Sequence, residues 1–112
     1  MEQLKPEEKK IVREYIDLIR SRFSSRVREI ILFGSRARGD SHSESDVDIL
    51  IVMDTEDKGI KRQLVDLAWD VMSDNDFKVF ISPVIFFNSQ YNQYKKWNSS
   101  FLYNVFKEGI KI

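Results

Sequence analysis

Two aspartates, Asp46 and Asp48, stand on either side of Val47 at the head of the apolar run VDILIVM. If that run is a strand, alternation puts both carboxylates on one side of the sheet, with Val47 and Ile49 on the other. Carboxylates held side by side repel each other, and a hard cation such as Mg2+ is the usual remedy. A Gly-Ser corner, Gly34-Ser35, closes the preceding apolar run. Gly34 allows close backbone approach, while the Ser35 hydroxyl and the N–H groups beyond it can hold phosphate oxygens. Arg36 and Arg38 share that loop and can neutralise further phosphate charge. Anion donors and a metal cage one loop apart suit a metal–triphosphate complex. His42, the sole histidine, has nothing nearby in sequence to orient it as a general base.

The elements that must position these groups are legible around them. Residues 27–33 read as a buried strand, and Ser35 reads as the start of a short helix whose N–H groups face the phosphates. The second strand runs from the aspartates to about Met53. If the two strands are neighbours, the end of one and the start of the other share an edge, so they are antiparallel. Before them, Pro6 with Glu7 and Glu8 opens a helix carrying the stripe Ile11, Tyr15, Ile19 and Phe23. After them, Ile60, Leu64, Leu67, Ala68 and Val71 mark a second amphipathic helix, ending near residues 73–75, with Trp69 at its margin. Residues 77–87 form the expected third strand, in which Pro83 predicts an edge position or a bulge. Asn88 or Ser89 can cap a short helix bearing Tyr91, Tyr94 and Trp97. A last helix over 98–107 is expected to face Phe101, Leu102, Val105 and Phe106 inward and to stop at Gly109.

The segments FGSRARGD and SDVDILIV carry a resemblance. Gly-Ser, ten residues, then Asp-Val-Asp is similar to the signature of the DNA polymerase beta-like nucleotidyltransferases, and looks most like the minimal nucleotidyltransferases of prokaryotes. The resemblance implies an α/β (α+β) fold, a small mixed or antiparallel sheet of about three main strands flanked by helices. It implies Asp46 and Asp48 as catalytic metal ligands for Mg2+ (or Mn2+), and Gly34, Ser35, Arg36 and Arg38 around the triphosphate of ATP. It also implies a partner, a HEPN-domain toxin that such an enzyme silences by transferring AMP to a tyrosine hydroxyl. In the family a third carboxylate on the following strand helps activate the attacking hydroxyl. Here Ser82 stands about where that acid is expected, with Asp76 and Asp74 the nearest substitutes. Asp76 reaches the catalytic edge only if the third strand runs parallel to the second. A module that neutralises the toxin by contact alone is the alternative.

Composition bounds these readings. The 112 residues suit one domain, 1–112, and leave no room for a separate acceptor domain. Eighteen basic residues balance eighteen acidic ones, which argues against an extended nucleic-acid surface. The charge is nevertheless uneven, with arginines crowded into 13–38 and acids into 40–57. No cysteine is present, which fits a reducing cytoplasm. No apolar run approaches ~20 residues, and no signal-peptide pattern opens the chain, so a soluble cytoplasmic protein is expected, as a homo- or hetero-oligomer.

Overall fold

The computed structural model describes residues 4–34, 36, 46–54, 56–97 and 100–112. Helix α1 (Pro6–Phe23) and a single 3-10 turn (Ser24–Arg26) lead into β1 (Val27–Phe33). Strand β2 (Val47–Met53), helix α2 (Lys58–Asp74) and β3 (Ile81–Phe87) follow, then α3 (Asn88–Lys96), α4 (Ser100–Glu108) and β4 (Ile110–Lys111). Among the described residues these strands form one sheet in the order β3-β2-β1-β4. Strand β1 pairs antiparallel with β2 and with β4, whereas β2 and β3 are parallel. The sheet is thus mixed, and its fourth strand goes beyond the three read from sequence.

Alternation divides the sheet into two faces. Ile30, Leu32, Val47, Ile49 and Ile51 join the larger core, against Tyr15, Ile16 and Ile19 of α1 and Leu64, Leu67 and Ala68 of α2. Ile31, Leu50 and Val52 face the other way, against Tyr91 of α3 and Leu102 and Val105 of α4. The Tyr15 hydroxyl donates to the Leu64 carbonyl at 2.8 Å, so this buried phenol joins α1 to α2 with its polar atom satisfied. On the opposite face Tyr91 donates to Glu29, which Lys111 of β4 also holds at 3.1 Å.

Helix ends follow local chemistry. Pro6 occupies the first turn of α1, and the Glu8 carboxylate accepts the Lys5 N–H at 3.0 Å. The Asp57 carboxylate caps α2 by accepting from the Gly59 N–H at 2.9 Å, a role not read from the acidic connection.

Two sequence expectations are corrected. Strand β3 begins at Ile81, because Asp76 and Phe77 adopt left-handed backbone (φ 55° and 53°) in the turn closing α2. There the Phe77 N–H returns to the Met72 carbonyl at 2.8 Å. Phe101 and Phe106, expected inside, are 37% and 42% exposed, and only Leu102 and Val105 of α4 are buried. Gly109 does stop α4, its N–H bonded to the Val105 carbonyl, but the chain then turns directly into β4. Pro83 is accommodated as expected on an edge strand, in a register that runs unbroken from Ile81 to Phe87.

Candidate functional site

The end of β1, the start of β2 and the start of β3 meet at one edge. Phe33 pairs with Asp48, and Asp48 pairs with Ser82, so these three residues form one row across the sheet. By alternation that row lies on the α3/α4 face, one step beyond the row of Ile31, Leu50 and Val84. Val47, between the aspartates, is fully buried in the opposite core, and its N–H bonds the Phe80 carbonyl at 2.8 Å. The buried valine therefore anchors the start of the strand. Asp46 is exposed and Asp48 is half-buried.

Asp48 is poised electrostatically. Partial burial, and then the charge of Asp46, raise its carboxyl above the usual carboxylate range. Gly34 explains how so much polar surface packs together. Its φ is +77°, in the left-handed region, and a Cβ at this position would stand 2.3 Å from Asp48 Oδ2. Glycine is required on both counts: the backbone needs the left-handed turn, and the carboxylate occupies the space of a side chain.

Arg36 was expected on the triphosphate. Its guanidinium is instead buried, 3% exposed, and paired with the equally buried Glu8 on α1. Burial pushes the Glu8 carboxyl up. The Arg36 hydrogen bond, the Lys5 N–H and the Arg36 charge outweigh it and hold Glu8 below the usual range. Arg36 thus fastens the segment after Gly34 to the first turn of α1. Glu8 was missed as a site-supporting residue, and its signal was a Glu three positions after the residue preceding the helix. Ser35, Arg38 and His42 lie outside the described residues.

The third carboxylate is not supplied by the described residues. Strand β3 does run parallel to β2, as an Asp76 role requires, yet no group of three or more acidic, histidine or cysteine residues able to hold a metal forms among them. Ser82, not an acid, stands beside Asp48. The donor set that is present, two adjacent carboxylates in a polar edge, suits an Mg2+ that takes its remaining oxygens from substrate phosphate and water. It does not suit an all-protein cage.

Beside this row, Phe33, Gly34, Phe101, Asn104, Val105 and Glu108 line a cleft of about 140 Å3. The Phe33 and Phe101 rings meet edge to face with centroids 5.6 Å apart.

Comparison with known proteins agrees with this arrangement. The sequence model of the nucleotidyltransferase domain family matches residues 12–110. Two proteins of Methanocaldococcus jannaschii, both named as putative protein adenylyltransferases, are similar in sequence. One is 37% identical over 102 residues, spanning 91% of this chain and 94% of its own. The other is 33% identical over 104 residues, spanning 91% and 95%. Among solved structures, a chain of the MntA-HpeT toxin–antitoxin, in a mutant form, superposes with a TM-score of 0.55 at 25% identity, covering 90% of this chain and 70% of that one. The paired aspartates on a strand start, the glycine packed against Asp48 and a match over nearly the whole chain lead to one conclusion: this protein belongs to the nucleotidyltransferase domain family and is a nucleotidyltransferase.

Proposed function

We propose that the protein is an Mg2+-dependent adenylyltransferase that moves AMP from ATP onto a protein hydroxyl, a tyrosine of a HEPN-type toxin, and so acts as its antitoxin in the cytoplasm. The observation that carries this reading is the Asp48 carboxylate, raised by burial and by Asp46 and seated against the left-handed Gly34. Two relatives named as putative protein adenylyltransferases support a protein acceptor, and a solved toxin–antitoxin neighbour supports a toxin as that protein.

In this reading Asp46 and Asp48 would hold Mg2+, which when bound supplies positive charge to the triphosphate and to the leaving pyrophosphate. Gly34 keeps the approach to Asp48 clear of side-chain atoms, with Ser35 and Arg38 taking phosphate oxygens. The Glu8–Arg36 link keeps the start of this loop in place. The acceptor hydroxyl gives up its proton, its oxygen bonds the α-phosphorus, and the bond from that phosphorus to the β-bridging oxygen breaks to release pyrophosphate. Ser82 cannot serve as the proton acceptor at neutral pH, so that proton passes to solvent or to a carboxylate at the edge.

That serine favours one competing reading, neutralisation of the toxin by contact alone. Co-expression with the toxin and intact-mass measurement of the toxin separates the two. The transfer reading expects added mass in AMP increments, lost with Asp46→Asn. Protection at full strength with no added mass would establish the contact reading.

A further inference from the structure

The cleft between the end of β1 and α4 is not used by the chemistry described above, yet it adjoins that chemistry through Gly34. Gly34 packs against Asp48 on one side and lines the cleft on the other. At about 140 Å3 the cleft is too small for a whole nucleotide, since sites for such ligands run to ~300 Å3 or more. It is close to the ~150 Å3 of an apolar cavity that takes a benzene-sized ring.

Its walls suit a flat, edge-polar ring. Phe33 and Phe101 present aromatic surface, and the buried Val105 forms an apolar floor. Asn104 contributes an amide with a donor and an acceptor side by side, and Glu108 a carboxylate that can only accept. A side-chain amide pairs in two bonds with the N6 amino group and N7 of adenine. Guanine presents two acceptors, O6 and N7, on that edge, so the amide oxygen would lose its donor there.

We infer that this cleft is the base subsite of the donor, taking adenine against the aromatic wall of Phe33 and Phe101 with Asn104 reading its polar edge. The inference rests on the triphosphate reading of the Gly34–Asp48 corner and adds to it the residues that set nucleotide preference.

Calorimetric titration of the full chain in Mg2+ with ATP, GTP and inorganic tripolyphosphate tests it. Asn104 is exposed on a helix, and leucine is at least as good a helix former, so Asn104→Leu is expected to fold. That variant should bind ATP about tenfold more weakly, with a reduced preference over GTP and unchanged affinity for tripolyphosphate. Phe101→Ala should weaken ATP and GTP together and again spare tripolyphosphate. Unchanged ATP affinity in both variants overturns the inference, and so does an equal loss for tripolyphosphate. Normal ATP binding with lost transfer would overturn it too, by placing the acceptor side chain in the cleft. Failure of the triphosphate reading looks different: wild-type protein then fails to bind tripolyphosphate, or binds it equally after Asp46→Asn and Asp48→Asn, and the base subsite falls with it.

Discussion

Gly34 and Asp48 constrain each other. A methyl group on Gly34 would overlap the Asp48 carboxylate and would have to adopt a left-handed backbone, itself costing ~1–2 kcal/mol. Gly34→Ala should therefore destabilise by about that amount in urea titration and, by displacing Asp48, lose most of the transfer activity. Wild-type activity in that variant would mean that the contact does not position the carboxylate. Asp48 makes a second, opposite prediction. A carboxyl whose folded pKa is raised holds its proton more tightly in the folded state. Its charge therefore costs stability at neutral pH, and the cost is relieved as pH falls through the folded pKa. Asp48→Asn should accordingly raise the melting temperature at pH 7 and give progressively less advantage on acidification. The gain should be no more than about 1 kcal/mol, since the carboxyl is partly open to water.

Between elements, the buried Glu8–Arg36 pair is the contact that ties the corner to the scaffold. Removing one member of a buried ion pair strands the other, at a cost of ~3–5 kcal/mol. Glu8→Ala should fall towards the lower end of that range, because Arg36 has further interactions. It should also weaken ATP binding, where Glu8→Gln, which can still accept a hydrogen bond, retains part of both. Because the Glu8 carboxyl is held low, its stabilisation is present above the ordinary carboxylate pKa and is lost as pH falls through the folded value. Acid titration of wild type against Glu8→Gln should therefore converge at low pH. The far end of the same strands is tied by Arg26, which reaches Asp54 at 3.9 Å and Asp57 at 3.7 Å. These are long and partly open to solvent, and contribute little.

Across the whole molecule, the sheet separates the core from the chemistry. The larger core lies under α1 and α2, while the half-buried Asp48 stands on the other face at the sheet edge. Replacing both Asp46 and Asp48 by Asn should leave the fold intact, with unchanged far-ultraviolet circular dichroism and a normal complex with the acceptor protein. Transfer should be abolished. Retained transfer in the double variant would remove these carboxylates from the mechanism. Among the described residues no helix is long and apolar enough to cross a membrane. Near the start of β3 the exposed Phe77 ring meets Trp69 edge to face and stacks on Phe80, at the same edge as Val47.

What the sequence determined by itself was local. A two-residue period put Asp46 and Asp48 on one side and buried Val47 on the other. Helical stripes marked α1 and α2, and a proline marked β3 as an edge strand or a bulged one. These features depend on residues a few positions apart, so spacing alone expresses them. What only the tertiary structure decided lies between residues distant in the chain. Glu8 met Arg36 across 28 positions, and that contact turned an expected phosphate ligand into a fastening. The short β4 exists because β1 had an open edge for Ile110 and Lys111 to pair with, not because two residues carry a strand signal. The left-handed turn at Asp76 and Phe77 shortened β3, and the parallel pairing of β3 set Ser82 beside Asp48. The cleft, too, is tertiary: Phe33 and Phe101 form one wall only after α4 folds back over the sheet. Sequence spacing identifies the groups that can do chemistry, and packing determines which of them remain available for it.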